Sequence, residues 1–265
     1  MLFLRTSLTR ALLLHRTASP FSATSAPVLR AFYQSSDHPD RAFYAPHESQ
    51  ILDYALTNPV EGVPVLGFTE QPLINALRAH GKSQSMATSF QTANSAPMAI
   101  MLYHMKTQRA KMVAEHAKTL YELPHVNGLS QYDRLQYLLI ARLRDNVAVA
   151  GQLQGGLAQL VQPANIAASL SELYDLADDL CHYSGDKSND FAWYAKRGSV
   201  AKIYVLCELH QAGLPAGEFA QVEAFVKEQV SEMENMAYAY NSMEEWGYIN
   251  MIGLVNLIRS QLTRS

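Results

Sequence analysis

An all-α fold is what this sequence predicts, on three observations. From Glu48 almost to the C-terminus, apolar residues recur at helical spacing. Short turns rich in Pro, Gly and Asn break the pattern at Asn58-Pro59, Gly62 to Pro64, Gly81, Pro124, Asn127-Gly128 and Gly213 to Gly217. No stretch alternates apolar and polar residues for long enough to build a sheet. At 265 residues and 48% hydrophobic the chain can enclose a genuine core, and about nine or ten helices fit between the turns. The expected organisation is a leader over residues 1–36, a polar linker with two prolines over 37–47, a helical domain over 48–240 and an amphipathic helix over 241–265.

The leader carries Arg5, Arg10, Arg16 and Arg30, many Ser and Thr between Leu, Phe and Val, and no acidic residue before Asp37. An Arg-rich, acid-free amphipathic segment is the pattern of a mitochondrial transit peptide, drawn in by the inner-membrane potential. Removing those four arginines from 21 basic residues leaves 17 against 24 acidic ones, a balance of −7 with His neutral. Such a chain repels phosphate backbones unless it gathers cations locally.

In the helical domain, residues 69–79 read as a short helix with Thr69 as N-cap and Glu70 in the first turn. A turn at Gly81-Lys82 and a second short helix over 83–90 complete a helix-turn-helix arrangement within about residues 48–95. A DNA-binding regulator in mitochondria is the function this suggests, and charge argues against it. No Lys or Arg occurs between Ser83 and Met105, whereas a groove-reading helix is held by phosphate contacts.

A long helix over residues 97–123 follows, opened by Pro97. Met98, Met101, Met105 and Met112 form one stripe on it, either plain core or the wall of a lipid pocket, since thioether chains remodel around a flexible ligand. Residues 148–158 are dense in small side chains, including Gly151, Gly155 and Gly156. Glycine costs a helix nearly ~1 kcal/mol against alanine, so the cluster implies close approach of another helix or of a ligand. Met98, Met101, Met105, Met112 and Gly155 are the candidate lipid-contact residues.

Catalytic constellations are weak. The sequence has no dinucleotide fingerprint, phosphate loop, nucleophile elbow or HExxH. A di-iron bundle needs two Glu-x-x-His pairs, but Glu122-x-x-His125 spans a proline and Asp179-x-x-His182 stands alone, so no metal site is expected. Cys181 and Cys207 are too few and too far apart for a disulfide framework and read as buried thiols of a reducing compartment. Asp175, Asp178, Asp179 and His182 line the polar side of a helix, a solvated face or a partner-docking one.

The segment GDKSNDFAWYAKR, residues 185–197, places capping residues before a helix that runs to about His210. Phe191, Tyr194, Ala195, Gly198, Val205 and Leu209 fall on one side of it; Trp193, Val200, Tyr204 and Cys207 cluster opposite, with Arg197 among them. With both sides apolar, one meets the core and the other a second helix, a second subunit or a partner. A Trp beside an Arg has the composition of an interface hot spot, and burial in the same domain is the equal alternative.

The run DLADDLCHYSGDKSNDFAWYAKRGSVAKIYVLCEL, residues 175–209, resembles the signature segment of the mitochondrial ubiquinone (coenzyme Q) biosynthesis accessory family numbered nine in that pathway. The shared elements are Asp178-Asp179, His182-Tyr183, Gly185-Asp186, Asp190-Phe191, Trp193-Tyr194, Arg197, Ile203-Tyr204 and Glu208-Leu209. The resemblance implies a tetracycline-repressor-like helical bundle, usually dimeric, with the helix-turn-helix as a relic. It also implies no enzyme activity and no cofactor. The implied role is a lipid-binding protein that takes up a polyprenylated ubiquinone precursor or other isoprenoid lipid. It would present that lipid to the di-iron demethoxyubiquinone hydroxylase of the ubiquinone-synthesis complex, on the matrix face of the inner membrane. The hydroxylase-docking surface carries over to Asp178, Leu180, Trp193, Tyr194 and Arg197.

The family also ends in a membrane-associating amphipathic helix. Here WGYINMIGLVNLIRSQL, residues 246–262, holds polar Asn250, Asn256, Arg259 and Gln261 among its apolar residues, which makes it a poor span and a good interfacial anchor. Trp246, Ile249, Ile252, Leu254, Val255, Leu257 and Ile258 are the candidate membrane contacts; packing in a dimer is the alternative.

Overall fold

Proline sets φ for the first helix, α1 (Pro46–Thr57), and the Glu48 carboxylate accepts the Ala45 backbone N–H at 3.1 Å. The computed structural model describes residues 44–90, 95–117, 120, 128–186, 191–215, 217–239, 250, 252–254, 256–257 and 260. The expected leader, residues 37–43 of the linker, and Trp246, Ile249, Val255 and Ile258 lie outside them.

Asn58 ends α1 by accepting the Val60 and Glu61 N–H groups, each at 2.8 Å. One turn, α2 (Val63–Leu66), stops at Gly67, whose φ of +70° suits glycine. Next comes α3 (Gln71–Ala79), which starts later than expected: the Thr69 hydroxyl donates to Leu66 O instead of capping it. The following segment, Gln84–Phe90, is a 3-10 helix and not the α-helix a helix-turn-helix requires. Thr88 and Ser89 hydroxyls bond the carbonyls three residues back, at 2.8 and 2.7 Å, and such local bonds compete with α geometry.

The Ser95 hydroxyl caps α4 (Ala96–Lys111), with Pro97 one residue further in than expected. The helix then loosens into a π turn, Met112–Ala117, and residues 118–119 and 121–123 of the expected span lie outside the described ones. A reciprocal Ser130/Asp133 capping box opens α5 (Gln131–Arg144), and a 3-10 stretch, Asp145–Gln152, leads to α6 (Leu153–Leu160). The long helices α7 (Ile166–Ser184), closed by Gly185 at φ +88°, α8 (Phe191–Gly213) and α9 (Phe219–Ala239) complete the described helices.

The all-α expectation holds, with no strand among the described residues. One apolar cluster joins α1 to α4 through Ile51, Leu73, Leu77, Ile100 and Met101. A larger one joins α5, α7, α8 and α9 through Leu138, Leu176, Val200, Tyr204 and Val226. Helix α4 belongs to the first and sends Arg109 into α7, so it ties the two together.

Candidate functional site

The acidic side of α7 is neither solvated nor free. Glu172, Asp178 and Asp179 are buried, each under an arginine from a neighbouring helix. Arg109 of α4 places Nε 2.7 Å from Glu172 and Nη1 2.9 Å from Asp179, with Asp175 at 3.6 Å. Burial alone would lower its pKa; the Glu172 and Asp179 carboxylates outweigh that and raise it above the ordinary arginine value. Arg197 of α8 donates from Nε to Asp178 at 2.5 Å and reaches Asp186 at 3.4 Å, while Lys196 reaches Asp186 at 2.7 Å.

Behind this lattice sits the aromatic pair. The Arg197 guanidinium lies 3.7 Å from the Trp193 ring centre, and its Nη1 donates to the Trp193 carbonyl at 3.3 Å. Trp193 is half-buried, and Tyr194, 52% exposed, meets it edge-on at 4.8 Å. Of the five residues expected at a docking surface, only these two present side-chain area. Leu180 is 0% exposed in the core, and Asp178 and Arg197 are consumed by their ion pair. Those three support the surface from within, because α7 packs along α8 at that level.

Farther along α8, an apolar cavity of about 90 Å³ opens between α6, α7 and α8. Leu157, Leu160, Leu173, Val205 and Leu209 supply its walls, with Met105 from α4 and Leu257 from the C-terminal segment. Of the methionine stripe, only Met105 reaches this space; Met98, Met101 and Met112 are fully buried in three different apolar clusters, because α4 is covered nearly all round. At Gly155 nothing lies within 4 Å of where its Cβ would be. Gly156, one residue and 100° further round, is the close approach, where a Cβ would meet the Phe68 ring at 2.8 Å and Met101 Sδ at 2.9 Å.

Tyr204 and Glu208 bring polar groups to this otherwise apolar lining. Glu208 Oε1 accepts from the Tyr204 hydroxyl at 2.7 Å and from Asn146 Nδ2 at 3.1 Å. Asn146 Oδ1 in turn accepts from Arg142 Nη1 at 2.8 Å and faces His104 Nε2 at 2.9 Å. With no proton of its own, that oxygen makes Nε2 the donor and leaves Nδ1 bare, and His104 Nδ1 has no partner. Burial, then the charge of Arg142, pushes the His104 pKa down to about 4; burial also raises that of Glu208. Arg142, Asn146 and His104 escaped sequence reading, and Tyr204 and Glu208 entered it only as a helix-face residue and as shared family elements. Their only signal is polar side chains at i and i+4, Arg142/Asn146 and Tyr204/Glu208, inside otherwise apolar stripes. Both cysteines are buried and free, with pKa values pushed up to about 12 by burial.

The family model for COQ9 matches residues 166–237, which carry α7, α8 and most of α9. A protein of Eremothecium gossypii, "Ubiquinone biosynthesis protein COQ9, mitochondrial", is 29% identical over 213 residues, 76% of this chain and 82% of its own. The proteins of that description in Schizosaccharomyces pombe and Homo sapiens are 29% and 28% identical, over 78% of this chain and 79% and 65% of theirs. The chain is similar to these COQ9 proteins over about three quarters of its length. The span matched by the family model holds the whole aromatic surface and the Tyr204/Glu208 wall.

Of the C-terminal segment, described residues lie against the domain. Leu254 is buried in the larger cluster, Leu257 lines the cavity mouth and Ile252 is 43% exposed. Leu254 and Leu257, expected as membrane contacts, are thus turned inward in this arrangement, since the apolar cavity rim offers them cover. No helix of the described residues is long and apolar enough to cross a membrane.

Proposed function

We propose that this chain serves ubiquinone biosynthesis in mitochondria as a lipid-handling accessory protein and not as a catalyst. The apolar cavity takes the isoprenoid part of a polyprenylated ubiquinone precursor, replacing the bilayer around it. The Trp193/Tyr194 surface docks the di-iron demethoxyubiquinone hydroxylase. The protein works as a homodimer, peripheral on the matrix face of the inner membrane, with the C-terminal helix as its contact to lipid. Relatives described as mitochondrial ubiquinone biosynthesis proteins support the pathway and compartment.

The observation that carries the reading is that one helix bears both features. From Trp193 to Val205, α8 rises about 18 Å, at ~1.5 Å per residue, so the docking surface and the cavity share a rigid element. The test is organic-solvent extraction of the purified full-length protein followed by mass spectrometry. A polyprenylated ring compound at near one per chain is expected; a preparation that carries only bulk phospholipid, and takes up no such compound when offered it, contradicts the reading.

A further inference from the structure

A cavity that held only a hydrocarbon tail would gain nothing from a carboxyl in its wall, because an acid without full hydrogen bonding is costly to bury. Glu208 is nonetheless 4% exposed and forms part of that wall. Its Oε1 is engaged twice, by Tyr204 and Asn146. Its Oε2 has no hydrogen-bond partner among the described residues. Arg142, whose guanidinium lies 5.5 Å from the Tyr204 ring centre, fixes that ring from behind and keeps Nε and Nη2 without acceptors. Ser169, the remaining polar lining residue, is committed elsewhere, its hydroxyl bonding Leu160 O and Asn165 O at 2.9 and 3.0 Å.

We propose that Glu208 Oε2 is the head-group contact of the cavity, hydrogen-bonding a hydroxyl or carbonyl oxygen on the isoprenoid and thereby selecting oxygenated isoprenoids over plain hydrocarbon ones. The inference rests on the lipid-handling reading above and adds what that site discriminates. Tyr204 and Asn146 hold the carboxyl of this lining residue in one orientation through Oε1, which leaves Oε2 for a ligand without rearrangement of the pair. Burial raises the Glu208 pKa, which favours the form able both to donate to a ring carbonyl and to accept from a ring hydroxyl.

The test uses full-length protein and two fifteen-carbon probes, farnesol and farnesene, which share the isoprenoid chain and differ by the terminal hydroxyl, in equilibrium dialysis. The ratio of farnesol to farnesene affinity should fall about tenfold in Glu208→Leu, the cost of leaving one buried hydroxyl unpaired, with farnesene binding kept. Glu208→Gln retains both bonds at Oε1 and so preserves the fold if the leucine variant does not; it should shift the ratio at least about threefold. A ratio unchanged in the variants overturns the proposal and leaves the carrier reading standing. Failure of wild-type protein to bind either probe overturns the carrier reading itself.

Discussion

Trp193 owes its position to a charge. Its ring rests on the Arg197 guanidinium, which is locked by Asp178 and Asp186, so loss of the ring and loss of the arginine differ in kind. Trp193→Lys should change stability by less than about 1 kcal/mol, since the ring is only partly covered, while abolishing capture of the hydroxylase in a pull-down. Arg197→Met should lower stability, read from urea unfolding, by about 3 kcal/mol or more, because it takes the guanidinium away from the buried Asp178 carboxylate. Undiminished capture by Trp193→Lys would remove the indole from the interface. His104 makes a second residue-scale prediction. Its folded-state pKa is near 4 against an ordinary 6.5, so between those values the unfolded chain binds a proton that the native chain refuses. Stability is therefore full above about pH 6.5 and falls toward pH 4, by about 3 kcal/mol from this group alone. Glu208, with its pKa raised, acts in the opposite sense, so the comparison is between wild type and His104→Gln. Urea midpoints from pH 7 to 4.5 should fall more steeply for wild type; equal slopes would contradict the assignment.

At the scale of elements, the position of α6 turns on which glycine faces inward. Gly155→Ala should raise the melting temperature through helix propensity, worth up to about 1 kcal/mol, since no atom lies near the added methyl. Gly156→Ala should lower it by about 1–3 kcal/mol by driving a methyl against Phe68 and Met101. Calorimetry on both variants checks the pair, and equal effects would place α6 in a different rotation. Sequence reading found this small-residue cluster and gave close approach of a helix or a ligand as its cause; Gly156 takes the close helix contact, and Gly155, named for lipid, has no protein atom near its Cβ. Periodicity resolves a face to about 100° only when the neighbour is known, and Phe68 sits some ninety positions upstream. The methionine stripe divides for a related reason. Helix α4 is buried nearly all round, so its stripe meets three clusters, and which methionine reaches the cavity depends on where α6 and α7 lie. The start of α4 was legible from Pro97 to within a residue; the segment Gln84–Phe90 was not legible, because hydroxyl side chains tipped an α turn into 3-10.

For the whole molecule, the acidic face of α7 shows what a single sequence hides. Asp175, Asp178 and Asp179 look like a solvated face until Arg109, some seventy positions away, and Arg197 are folded onto them. The C-terminal segment belongs to this scale too. Leu254 and Leu257 pack on the domain while Ile252 is exposed, so an amphipathic helix that meets lipid must exchange one apolar cover for another. Truncation after Glu245 should reduce flotation with liposomes and lower stability by about 1–2 kcal/mol through lost burial of Leu254; flotation equal to that of the full chain would return the segment to packing alone. The central claim, that the space between α6, α7 and α8 is where an isoprenoid resides, is tested most directly by photocrosslinking. A polyprenyl probe bearing a diazirine on its chain, irradiated with full-length protein and mapped by peptide mass spectrometry, should label peptides containing Leu160, Leu173 and Val205 and lose that labelling to excess unmodified isoprenoid. Labelling confined to the protein exterior, or insensitive to competitor, would contradict the account.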